Sequence, residues 1–188
     1  MSLPVGEKKK LSPTVTELLD KLKRHQASDA RYRQPVGIIG PGDGGQRECA
    51  AAHEIAGHLA KAGLSIICGG RGGVMEAASR GATEAGGIAI GILPEENVQF
   101  ANQYLTVAIP TGMGEMRNAV IARSSLCLIA IGGGMGTISE MALGLKWGKN
   151  VFALYEDVRL EGAKIAANAD ELLESVVRWL VDATTDNK

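Results

Sequence analysis

Leu126-Cys127-Leu128-Ile129-Ala130-Ile131-Gly132-Gly133-Gly134-Met135-Gly136-Thr137-Ile138-Ser139-Glu140 sets an unbroken apolar run against a string of glycines and then opens a helical period. The run is too short for a core helix and too uninterrupted for a strand with one wet face, so it reads as a buried strand of a parallel sheet. Glycines after the strand let the backbone come close to a bound group. The helix that follows begins with unpaired N–H groups and the positive end of its dipole, which together suit an anion. No lysine stands where a Walker loop would carry it, so ATP hydrolysis of the P-loop kind is not supported.

The same sequence of apolar run, glycine turn and helical period recurs from Pro35 onward. Strands are expected at Val36–Ile39, Leu64–Cys68, Ile88–Leu93, Leu105–Ile109, Leu126–Ile131 and Val151–Leu154. Helices are expected at Gln46–Ala62, Val74–Ala85, Glu115–Ser124, Gly136–Trp147 and Ala169–Asp182. This alternation implies βαβ units, and their right-handed crossovers give a single doubly wound, mostly parallel α/β sheet of Rossmann type with helices on both faces. Residues 35–188 form that domain. Residues 1–34 are a tail and a short helix: 1–11 are expected to be disordered, and Ser12-Pro13-Thr14 starts a helix in which Thr14 and Glu17 have capping-box spacing. Residues 156–168 are too polar and irregular to place.

The chain has 188 residues, enough for one well-buried core, and 25 glycines clustered at a few turns. Twenty basic against twenty-one acidic residues leave a net charge of −1, without the positive field that a nucleic-acid partner needs. No run approaches a membrane span and the N-terminus lacks an apolar signal core, so neither a membrane nor a secretory role is expected. Three cysteines, Cys49, Cys68 and Cys127, form no CxxC pair and point to a reduced, cytoplasmic setting.

Three turns carry the chemistry. Gly40-Pro41-Gly42-Asp43-Gly44-Gly45 matches G-x-G-x-x-G, but the second strand ends without the acidic residue that would hold an adenosine ribose. Pro41 removes a donor there and Asp43 adds a negative charge, so ligand contact by Gly40 and Gly42 and a plain tight turn are equally open. Gly69-Gly70-Arg71-Gly72-Gly73 places one cation among four glycines, where Arg71 can fork onto a phosphate while Gly70, Gly72 and Gly73 offer backbone. In the third turn, Gly133, Gly134, Met135, Gly136 and Thr137 can hold a phosphate at the helix start. Thr137-x-x-Glu140 is also capping-box spacing, so Glu140 is either a functional carboxylate or a cap. Arg117, followed by Asn118, stands at the head of a helix against the dipole preference, which hints at an anion. His53 and His58 lie about 140° apart around their helix, unlike a zinc-binding H-E-x-x-H pair, so no metal is expected. No G-x-S-x-G elbow or activated cysteine suggests covalent catalysis.

With these turns in hand, residues 35–155 resemble the LOG-like ("Lonely Guy") Rossmann superfamily, long mislabelled as lysine decarboxylases. The matching segments are Gly69 to Met75, Gly86 to Pro94, Arg117-Asn118 and Gly132 to Glu140. The resemblance implies cleavage of the N-glycosidic bond of a nucleoside 5′-monophosphate, with Arg117 and Glu140 on the positions of the catalytic arginine and glutamate, no required cofactor, and no lysine decarboxylation. The enzymes usually read P-G-G before G-T and R-K at the helix head, whereas Gly132-Gly133-Gly134 and Arg117-Asn118 look more like the molybdenum cofactor carrier branch. The alternative is therefore a non-catalytic carrier of a molybdopterin-type ligand. The resemblance also implies a homodimer or higher homo-oligomer, with the helix bearing Met141 and Leu145, and the N-terminal helix, as the expected surface.

Overall fold

The structure, a computed structural model, describes residues 11–155 and 159–185; the expected disorder of residues 1–10 lies outside the described residues. Strands β1 (Val36–Ile39), β2 (Ile66–Cys68), β3 (Ala89–Leu93), β4 (Val107–Pro110), β5 (Leu128–Ile131), β6 (Val151–Leu154) and β7 (Lys164–Ala166) form one sheet in the order β4-β3-β2-β1-β5-β6-β7. Every pairing is parallel. The connections run one way from β1 to β4 and the other way from β5 to β7, so the order reverses between β1 and β5. A crevice opens at the carboxyl ends of the strands at such a switch point.

Alternate residues of the central strands enter two separate cores, which is why these strands read as continuous apolar runs. Ile38, Ile66, Ile129 and Phe152 join the core covered by α1 (Pro13–Gln26), α2 (Gln46–Lys61), α3 (Val74–Glu84) and α6 (Ala169–Thr185). Ile39, Ile67, Leu128 and Ala153 join the core under α4 (Arg117–Ser124) and α5 (Met135–Lys146).

Five differences from the sequence reading have physical causes. Ser12, not Thr14, caps α1: its Oγ accepts from Val15 N at 3.2 Å, because Pro13 at the first helical position has no N–H to lose and lets the helix start earlier. Leu11, expected in the disordered tail, packs against the core, as do Val15, Leu18 and Leu22 of α1. Strand β7, too polar to read from sequence, pairs with β6 from Phe152↔Lys164 to Leu154↔Ala166 at the sheet edge, where only Ala166 is buried. Strand β4 is the other edge and leaves Val107 and Ile109 exposed. Met141 is buried, so it does not face outward as expected of that helix, while Leu145 is partly buried against the second core. No helix of the described residues is long and apolar enough to cross a membrane.

Helices α2 and α3 meet almost backbone to backbone. A Cβ on Gly81 would lie 2.1 Å from the His53 carbonyl oxygen. Gly81→Ala is therefore expected to push the helices apart and destabilise the protein by about 2–3 kcal/mol. Gly86→Ala, at a φ of +80° but with open space around it, is expected to cost only about 1 kcal/mol. Denaturant unfolding of both variants beside the wild type checks the difference.

Candidate functional site

The crevice between β1 and β5 is a cavity of about 290 Å³ that gathers residues from all three glycine turns and the head of α4. Of the residues singled out in the sequence, Gly40, Gly42, Arg71, Arg117, Asn118, Gly134, Gly136, Thr137 and Glu140 line it. Gly70, Gly72, Gly73, Gly133 and Met135 do not. Gly70 packs its backbone on Gly91 and Leu93, and Gly73, at a φ of +63°, packs on the carbonyl oxygens of Pro41 and Gly42. These two glycines hold the turns together from behind, and Met135 points to solvent with 82% of its surface exposed.

Helix α5 starts at Met135 with Gly134 as its N-cap, three residues before the start that a Thr137 cap requires. The first intrahelical bond is Ile138 N to Gly134 O at 2.9 Å, so the N–H groups of Met135, Gly136 and Thr137 precede the helical ladder. The capping-box alternative for Glu140 fails for the same reason. Glu140 sits a full turn inside the helix, where its carboxylate reaches the buried Arg117 instead of the helix end.

Arg117 Nη1 donates to Glu140 Oε1 at 3.4 Å, and both side chains are buried. Arg117 Nε is buried without a hydrogen-bond partner among the described residues. Gly69 makes room for this guanidinium: a Cβ there would lie 2.5 and 2.6 Å from its nitrogens and 2.6 Å from Met75 Sδ. Burial pushes the Glu140 carboxyl up to about 8, with Arg117 pulling it down and Glu115 adding to the rise. A neutral carboxyl beside a fixed cation is thus the resting state of the cleft near pH 7.

Asn118 and Arg71 are already engaged. Asn118 Nδ2 donates to Ser139 Oγ at 2.9 Å and to Gly136 O at 3.5 Å, which ties α4 to the first turn of α5. Arg71 is paired with Glu95 at the end of β3. Sequence reasoning missed Gly69, Met75 and Glu115 as lining residues. Gly69 carried a signal, as the first glycine after a buried strand; Met75 and Glu115 carried none. His53 pairs with Glu84 at 2.7 Å and takes no part in the cleft.

A family model, the SLOG cluster4 family, matches residues 33–179. The chain is 36% identical over 109 residues to the cytokinin riboside 5′-monophosphate phosphoribohydrolase LOG5 of Arabidopsis thaliana, a stretch that covers 55% of this chain and 47% of that enzyme. Its fold is similar to that of the molybdenum cofactor binding protein from the phototrophic bacterium Rippkaea orientalis, with a TM-score of 0.73 and 34% identity over 79% of this chain and 98% of that one. The Moco carrier protein from Chlamydomonas reinhardtii superposes with a TM-score of 0.70 and 32% identity, over 80% of this chain and 99% of that one.

The raised Glu140 carboxyl has a consequence for stability. The folded protein holds this proton up to about pH 8, whereas an unfolded chain releases it near the ordinary carboxyl value of 4.5. Stability from this group is therefore full below about pH 4.5 and falls as pH rises towards 8. Glu140→Gln, which mimics the neutral carboxyl, is expected to match the wild type near pH 4.5 and to exceed it by a few kcal/mol at pH 8. Thermal unfolding of both proteins at several pH values reads the divergence, and parallel curves would contradict it.

Proposed function

The chain belongs to the SLOG cluster4 family, and from that premise we propose that its crevice binds a phosphorylated, nucleotide-like small molecule and hydrolyses the N-glycosidic bond of a nucleoside 5′-monophosphate. The observation that carries this reading is the buried pair of Arg117 and Glu140 beside the open first turn of α5. The ligand's phosphate sits at the N–H groups of Gly136 and Thr137, which line the crevice and where helix geometry and dipole both favour an anion. This places the sugar near Glu140.

In the reaction, the C1′–N bond breaks and its electron pair leaves with the base, which takes the proton held by Glu140. The carboxylate so formed is stabilised by Arg117 and faces an oxocarbenium-like sugar. Water then adds to C1′ and returns a proton to Glu140, giving free base and ribose 5-phosphate. A carboxyl kept protonated at neutral pH is the acid this first step needs.

A second reading has its own support. Asn118 puts a neutral amide, already spent on Ser139 and Gly136, where the phosphoribohydrolases that the chain resembles carry a lysine. The two molybdenum cofactor proteins match over nearly their whole length. In that reading the same crevice holds a phosphorylated pterin without turning it over.

Incubation with a panel of nucleoside 5′-monophosphates, followed by chromatography of released base, separates the two. The wild type is expected to release base, and Glu140→Gln to lose about 10²-fold or more of the rate. Saturable binding of nucleotide or molybdopterin with no release would establish carriage instead.

A further inference from the structure

Beside the crevice, and sharing Arg71 as a wall, lies a groove of about 420 Å³ lined by Arg71, Gly72, Glu95 and Phe100. Two features of this groove have no structural explanation within the chain. Phe100 leaves 60% of its surface exposed. Glu95 Oε2 is buried and has no hydrogen-bond partner among the described residues, although Oε1 takes the hydrogen bond from Arg71. A buried carboxylate oxygen left without a donor is costly, and it commonly marks a place where a bound group completes the set.

The surroundings hold both walls in place. Gly112 N donates to Glu95 O at 2.9 Å and Gly114 N to Pro94 O at 3.0 Å, which fixes the backbone under Glu95. Across the groove, Asn102 Nδ2 donates to the carbonyls of Gly70 and Arg71, and Asn102 N also reaches Gly70 O. The turn that carries Arg71 is therefore pinned.

We infer that this groove is the subsite for the ligand's ring system, with the ring lying on Phe100 and the Glu95 carboxylate accepting an N–H from the ring edge. The inference rests on the ligand reading above, in which the phosphate end occupies the neighbouring crevice. It also fixes the polarity of recognition. Arg71 keeps Glu95 ionised against the upward push of burial, and an ionised carboxylate only accepts hydrogen bonds. The ring must then present donors. A 2-amino-4-oxopyrimidine edge, which guanine and pterins share, offers a ring N–H and an amino group side by side. Hypoxanthine offers the ring N–H alone, and adenine sets an acceptor next to its amino group, facing the carboxylate.

Isothermal titration of the full chain with guanosine, inosine, adenosine and ribose 5-phosphate tests the ring and phosphate sites separately. The wild type is expected to bind the nucleosides in the order guanosine, inosine, adenosine. Glu95→Gln should weaken guanosine by about tenfold or more and level the series, while ribose 5-phosphate keeps or gains affinity. Phe100→Ala should weaken all three nucleosides by a similar factor, since stacking does not depend on the ring edge. Binding of ribose 5-phosphate with no effect of Glu95→Gln or Phe100→Ala on the nucleosides would overturn the ring subsite and leave the phosphate reading standing. Guanosine binding that depends on Glu95, with no binding of ribose 5-phosphate, would do the reverse. Binding of neither would overturn both.

Discussion

Val74 N, the first backbone donor of α3, reaches Pro41 O at 3.1 Å, and that contact exists because no side chain stands between the two turns. A Cβ on Gly40 would fall 2.5 Å from Val74 Cγ1 and 2.6 Å from Ile131 O, and one on Gly73 would fall 2.5 Å from both Pro41 O and Gly42 O. The ends of β1, β2 and β5 thus converge at van der Waals range of backbone. Everything that gives the crevice its chemistry hangs on this closeness. Gly69 extends the same constraint to a side chain, because the space that its missing Cβ leaves is filled by the Arg117 guanidinium.

Placing that guanidinium under protein has an electrostatic cost. Removing Arg117 and Glu140 from water is compensated only in part by a single 3.4 Å contact, and Arg117 Nε remains without a partner among the described residues. A protein selected for stability alone would do better with apolar residues of similar volume. The carboxyl responds by holding its proton, which lowers the charge in the crevice but leaves the arginine's positive charge less fully matched. An incoming phosphate supplies the missing negative charge, and the open N–H groups of α5 lie on the same wall. The arrangement stores unsatisfied hydrogen-bonding capacity in the place where the proposed ligand would use it.

Most of the sheet was legible because burial on both faces leaves a plain mark: Val36–Ile39, Leu128–Ile131 and Val151–Leu154 are continuous apolar runs, and each is fully buried. The edges were harder for the same reason. Strand β7 buries only Ala166, so Lys164 and Ile165 follow no burial pattern, and β4 looks like a core strand in sequence although Val107 and Ile109 face outward. At the site, Arg117 and Glu140 were legible from their places at the head of one helix and in the first turns of another. The role of Glu140 was not, since Thr137-x-x-Glu140 has the spacing of a cap. Only the true start of α5 at Met135 separates the two, and a start that a glycine N-cap sets without any side-chain hydrogen bond leaves no sequence signal.

Asn118 bears most directly on how hydrolysis and carriage divide within one fold. Its amide links α4 to α5 through Ser139 and Gly136, so the helix that carries Arg117 and the helix that carries Glu140 are fixed relative to each other by a neutral group. A lysine at that position would bring a second full charge to the crevice, lower the Glu140 carboxyl, and favour a carboxylate that stabilises a cationic sugar. With asparagine, the carboxyl stays protonated and can act as an acid towards a leaving base, or as a neutral hydrogen-bond donor to a ligand that is only held. The same proton serves both outcomes. In the proposed hydrolysis that proton goes to the leaving base, which requires a bound molecule that presents a glycosidic nitrogen to Glu140.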